Sequence, residues 1–131
     1  MNAFLVAAAA VVALTGLVHS VGGEWRIFRT LRRRGIVPDG GAPVLRGFQT
    51  RILWATWHLV TVMAWALAAL LLWVAQPAAR AASGGVIEHG AALALAVGGA
   101  LVLWSNRGRH LGWVTLWAAA ALVLTAQFTG T

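Results

Sequence analysis

Four histidines and three carboxylates are the side chains best equipped for chemistry here: His19, His58, His89 and His110, with Glu24, Asp39 and Glu88. Neutral imidazole ligates first-row metals and haem iron, and the same ring carries protons near neutral pH. His19 stands six residues before Trp25, and His58 seven residues after Arg51. If Trp25 and Arg51 mark one membrane boundary, both histidines lie roughly 10 Å inside it at helical rise. His110 opens a helix at that same boundary, whereas His89, beside Glu88, opens one at the opposite face. Two alternative chemistries suit this grouping. His19 and His58 on facing helices form an axial pair for haem b, with Trp54, Trp57 and Trp65 as apolar walls. Alternatively, His19, His58, His110 and Glu24 supply three nitrogens and one oxygen to a divalent transition metal. Glu24 is five residues from His19, about 140° around an ideal helix, so it joins only through a bend at Gly22-Gly23 or a contact from a neighbouring helix. The plainer alternatives are a structural His58–Glu24 contact, a His19 hydrogen bond to Ser20, Thr15 or a carbonyl, and an interfacial His110. The grouping is read from depth, since the chain holds no H-x-x-x-H, E-x-x-H or C-x-x-C-H motif.

The elements that position these groups are membrane helices. The chain has 131 residues, 60% of them hydrophobic and 10% charged, with eight tryptophans. Mean hydropathy is +0.80. A soluble domain, a disordered chain and a disulfide-stapled scaffold are all excluded by that balance. The absence of cysteine removes thiol redox chemistry, Fe–S clusters and Cys-ligated zinc, and the absence of lysine removes Schiff-base chemistry. Four stretches reach the roughly 20 mostly apolar residues that a spanning helix needs. They run over Ala3–Val21, Ile52–Ala75, Val86–Trp104 and Leu111–Phe128. The expected fold is all-α, a single domain over residues 1–131 forming an antiparallel up-down-up-down four-helix bundle. The first span lacks a basic n-region and reads as a retained helix, not a signal peptide.

Arginine placement sets the orientation. Arg26, Arg29, Arg32, Arg33, Arg34, Arg46 and Arg51 fall between spans one and two, and Arg107 and Arg109 between spans three and four. Arg80 alone lies between spans two and three. Both termini are therefore expected outside, with the Arg-rich loop 26–51 in the cytoplasm. This explains the net charge of +7 without nucleic acid, which is not an expected partner. The run Arg26, Arg29, Arg32, Arg33 and Arg34 reads as topology and anionic-lipid contact, or as a docking patch for an acidic partner. Arg26–Arg34 continues helix one, Gly35 ends it, and Pro38-Asp39-Gly40-Gly41 reads as a turn. Gln76-Pro77 stops the second helix, and Asn106-Arg107-Gly108-Arg109 makes a tight turn.

Helical spacing also assigns faces. Trp54, His58, Thr61 and Trp65 fall at i, i+4, i+7 and i+11, one stripe of helix two. In helix one, Thr15 and His19 share a face, and Gly16, Ser20 and Glu24 form the adjacent stripe. Inward-facing stripes would let His19 and His58 meet between antiparallel helices. Ala9, Ala13 and Gly16, with Ala92, Ala96, Gly98, Gly99 and Ala100, are the small residues expected at close helix contacts.

The stretch Gly16-Leu17-Val18-His19-Ser20-Val21-Gly22-Gly23-Glu24, with Trp57-His58-Leu59-Val60-Thr61, resembles an HSxxGE…WHLxT pattern of small bacterial four-helix integral membrane proteins. The resemblance covers the first half of the chain. It implies a multi-pass protein of the bacterial inner membrane and points to His19, Glu24 and His58, but brings no activity. The leading functional expectation is a His-lined site in the cytoplasmic leaflet that binds haem or a metal ion. The alternatives are a proton- or ion-coupled transporter or channel, and an accessory subunit of a larger membrane complex. Homo-oligomerisation or membership of such a complex is expected.

Overall fold

A computed structural model of the chain describes residues 1–34, 45–105 and 107–129. All regular structure among these residues is helical. Helix α1 (Ala3–Gly23) is capped by Asn2, whose side chain accepts from the amides of Phe4 and Leu5 at 3.0 and 3.2 Å. The helical path then widens through one π-turn, Glu24–Phe28, and continues as α2 (Arg29–Arg34). Continuation through Arg34 was expected from the sequence, but the π-turn was not. Gly35, the Pro38–Gly41 turn, Asn106 and the side chains of Arg32, Arg33 and Arg34 lie outside the described residues.

Helix α3 (Gly47–Val74) begins five residues before the expected Ile52. Hydropathy excludes its polar first turn. The turn is helical because the Gln49 side chain accepts the Arg46 amide at 2.7 Å, satisfying a donor the helix would otherwise orphan. Pro77 stops α3 as expected but also starts α4 (Pro77–Ser83), a helix the sequence reading did not place. Proline suits a first helical position, since its missing N–H has no intrahelical partner there. Gly84, at φ 57°, ends α4 in the left-handed region. Helix α5 (Val86–Ser105) and helix α6 (Gly112–Phe128) follow.

Three helical segments are long and apolar enough to cross a membrane: Ala3–Leu31, Gly47–Val74 and Val86–Trp104. The fourth apolar helix, α6, has 17 residues. At helical rise that is about 26 Å, slightly under a typical hydrocarbon core.

Cross-helix hydrogen bonds fix the neighbours. Ala13, Gly16 and His19 of α1 meet Trp65, Thr61 and Trp57 of α3 in that order, so these two helices run antiparallel. Ala96 of α5 meets Trp117 of α6, and Val102 lies against Gly112, giving a second antiparallel pair. α1 also packs along α6, and the start of α1 meets the end of α6 through Asn2 and Ala126.

The apolar core is concentrated toward that end: Leu5, Ala8, Ala9 and Val12 pack with Leu71, Ala75, Ala91, Ala92, Leu95, Ala119, Ala120 and Val123. Alanines dominate it because backbones in lipid associate by close approach. Of the expected small contacts, Ala9 and Ala92 are buried, Gly16 faces Ala64, and Ala100 is instead exposed. The other end of the α1–α3 pair holds the histidines.

Candidate functional site

The α1–α3 interface near the π-turn is built from two adjacent rungs. In one, the Trp57 indole lies flat against the His19 imidazole, with centroids 4.2 Å apart and planes 6° apart. The Trp57 N–H donates to the His19 carbonyl at 3.0 Å. Gly23 makes this possible, since a Cβ there would overlap the indole. In the other rung, the Ser20 hydroxyl sits 2.7 Å from His58 Nδ1 and 2.8 Å from the Thr61 hydroxyl. Thr61 is 3% exposed and donates to the Gly16 carbonyl at 3.0 Å. Phe28, buried at the end of the π-turn, closes over both rungs, meeting Trp57 edge-on and His58 at a tilt.

The expected stripes therefore meet. Trp54, His58, Thr61 and Trp65 of α3 engage Glu24, Ser20, Gly16 and Ala13 of α1. The face of α1 that meets His58 is the Gly16–Ser20–Glu24 stripe. His19 and His58 are brought into one interface without being each other's hydrogen-bond partners. Both rings nevertheless carry a buried Nε2 that makes no hydrogen bond.

Glu24 is linked to this assembly by α3. The Trp54 indole N–H donates to its carboxylate at 3.2 Å, and the same ring packs edge-on against His58 with centroids 4.6 Å apart. The contact from the neighbouring helix thus comes from Trp54.

His110 is engaged at the start of α6. It is exposed, and its Nδ1 accepts the Gly112 amide at 3.0 Å, serving an orphan donor at the start of α6. The end of α6 meets the start of α1, so His110, just before the start of α6, lies at the same end of the molecule as His19 and His58. The four-residue metal set is not assembled: among the described residues no three His, Cys, Asp or Glu side chains form a group able to hold an ion. His89, also exposed, approaches the Gly85 carbonyl through Nδ1 at 2.7 Å.

Five of the eight tryptophans show two contrasting uses. Trp57, Trp65 and Trp117 each donate an indole N–H to a carbonyl of a neighbouring helix. Trp25 and Trp104, at 72% and 83% exposed, point away from the protein. Trp65 thus pins helices together more than it walls a site.

One polar cluster escaped the sequence reading. Glu88 is 1% exposed and accepts from the Ser83 hydroxyl at 3.2 Å, with Arg80 Nε 3.4 Å from its other oxygen. Arg80 also donates to the Ala126 carbonyl near the end of α6. Asn2 reaches Ala126 and Thr129 from the start of α1. The available signal was an arginine and a glutamate on either side of Gly84-Gly85, a turn tight enough to fold one onto the other.

No family model, curated protein or solved structure matches this chain.

Proposed function

We propose that the chain is a multi-pass inner-membrane protein that binds a transition-metal centre, haem iron or a divalent ion, through the imidazoles of His19 and His58. The observation carrying this reading is the pair of buried Nε2 atoms without a hydrogen bond. A buried polar atom with no partner is uncommon enough to call for a reason, and an absent ion or group is a standard one. Two such atoms, both on the histidines of one helix interface, suit the donor set that haem iron takes axially and that borderline divalent ions accept. The Ser20 hydroxyl on His58 Nδ1 has the form of the outer contact that orients a ligating imidazole. Haem, when bound, would supply one-electron chemistry, and a bare divalent ion Lewis acidity. A bare ion would complete its coordination with groups other than His110, which is engaged at the start of α6.

In this reading all four apolar helices cross the membrane as an antiparallel bundle. α6 is accommodated by local thinning, which costs fractions of a kcal/mol per Å. Both termini lie outside and the histidine end lies in the cytoplasmic leaflet. Arg26, Arg29, Arg32, Arg33 and Arg34 then meet anionic headgroups, and the exposed apolar faces meet lipid, a second copy or a larger complex. A proton-conducting role is less well supported. The chain of hydroxyls running from His58 ends on the Gly16 carbonyl, which has no proton to pass on.

The test is a UV–visible spectrum with elemental analysis on detergent-purified protein expressed with added haem precursor and metals, beside His19→Ala and His58→Ala. A Soret band or stoichiometric metal in the parent, lost in both variants, is expected. A colourless, metal-free parent rejects the reading.

A further inference from the structure

The hydrogen-bond chain beneath His58 fixes more than the position of its ring. Three contacts lie in series: His58 Nδ1 to Ser20 Oγ at 2.7 Å, Ser20 Oγ to Thr61 Oγ1 at 2.8 Å, and Thr61 Oγ1 to the Gly16 carbonyl at 3.0 Å. Each contact needs one proton. A carbonyl accepts only, and each hydroxyl carries one proton. The Thr61 proton therefore goes to Gly16, and the Ser20 proton goes to Thr61. Neither hydroxyl has one left for His58, so the third must come from the imidazole itself.

We infer that Ser20 and Thr61 hold the neutral His58 ring in the Nδ1–H tautomer, so that its buried Nε2 presents an electron pair suited to an electron-poor occupant. The opposite tautomer leaves two protons for three contacts. The contact left without a proton sets two oxygen lone pairs against each other, at 2.8 Å between Ser20 and Thr61 or at 3.0 Å between Thr61 and the Gly16 carbonyl, and the ring buries an Nε2–H donor without an acceptor. Orphaned donors are rarer in proteins than under-satisfied acceptors. The Nδ1–H form leaves a single unsatisfied feature, a lone pair at Nε2.

The occupant class follows from that lone pair. It is a metal centre or a hydrogen-bond donor. A carboxylate or phosphate oxygen, which would need a proton from Nε2, is disfavoured in the Nδ1–H tautomer, whose Nε2 carries none. Ser20 and Thr61 are positioning residues, since they act on the occupant only through the imidazole. This deepens the binding reading and rests on it for the identity of the occupant alone. The tautomer is a property of the protein without any ligand.

The experiment is ¹⁵N NMR of the full chain, labelled at histidine and held ligand-free in detergent micelles, at a pH above the imidazole titration range. His58→Gln assigns the His58 resonances. The expected spectrum shows His58 protonated at Nδ1 and pyridine-like at Nε2. Ser20→Ala should lose that signature and Ser20→Thr keep it, while Thr61→Val, which removes the hydroxyl at constant shape, should weaken it. Circular dichroism confirms that each variant is folded. His58 protonated at Nε2 in the parent overturns the inference, as does a tautomer unmoved by Ser20→Ala. Titration with Zn²⁺ or haemin alone separates the two claims. With an Nδ1–H parent, tighter binding than Ser20→Ala by about 10–100-fold supports both, as expected when an outer partner of a ligating histidine is removed. An Nδ1–H parent that binds neither supports the tautomer and rejects the binding reading.

Discussion

Replacing Gly23 by alanine isolates the contact that seats the first histidine. The added methyl falls within the Trp57 indole, and an indole stacked on one ring and tied by its N–H to a carbonyl cannot yield by a few tenths of an ångström without losing those contacts. Trp57 is stacked on His19, meets Phe28 edge-on and donates to the His19 carbonyl. Overpacking a well-filled contact costs about 1–3 kcal/mol. Displacing the ring adds about 0.5–1.5 kcal/mol for lost ring contacts. It adds roughly 0.6–1.7 kcal/mol for the interhelical hydrogen bond. Some of these losses replace one another, so Gly23→Ala should destabilise by about 2–4 kcal/mol. The assay is reversible unfolding in mixed micelles with titrated SDS, followed by circular dichroism. Its control is the same substitution in a Trp57→Ala background, where the methyl has an empty space to enter. There the cost should fall to within about 0.5 kcal/mol of zero, giving a large coupling energy between the two positions. Equal costs in the two backgrounds would refute the reasoning, as would a Gly23→Ala protein as stable as its parent.

Other outcomes follow from the same geometry. Gly99→Ala should repeat this behaviour between α5 and α6, since its methyl overlaps the Trp117 indole, and Trp117→Ala should remove most of the cost in the same unfolding assay. Arg80→Ala should destabilise by about 3–5 kcal/mol, because it leaves the buried Glu88 carboxylate with the Ser83 hydroxyl as its only remaining described partner. The double variant Arg80→Met with Glu88→Leu, which removes both charges, should lose much less than Arg80→Ala alone. Reporter fusions should place a domain joined after Phe128 outside and one inserted in the Arg-rich loop inside; the reverse pattern would remove the orientation proposed here.

The parts of this molecule that were legible from its sequence are those governed by a period or a composition. Apolar runs located the long helices. Steps of four, three and four residues put Trp54, His58, Thr61 and Trp65 on one stripe, and the same spacing put Gly16, Ser20 and Glu24 on the stripe that meets it. The register between the stripes was not legible. It decides that Ser20 opposes His58 while His19 opposes Trp57, and it is set by where Gly23 leaves room for an indole. The π-turn at Glu24–Phe28 has no local signature, yet it is what carries Phe28 over both rungs. Helix α4 was hidden because proline ends one helix and begins another with equal ease. The contact His110 makes was not legible because α6 starts at Gly112, one residue later than hydropathy suggests, which sets the imidazole on an orphan amide. The Arg80–Glu88 pair is folded together by the left-handed Gly84 and Gly85, a turn signal that a reading by helical period passes over.

The central claim, that His19 and His58 coordinate a metal centre through Nε2, is tested most directly by X-ray absorption at the metal edge of the loaded protein. Two imidazole nitrogens per metal are expected in the parent, one in His19→Ala and one in His58→Ala. An imidazole count unchanged by either substitution, or a protein that takes up neither haem nor a divalent ion, would contradict it.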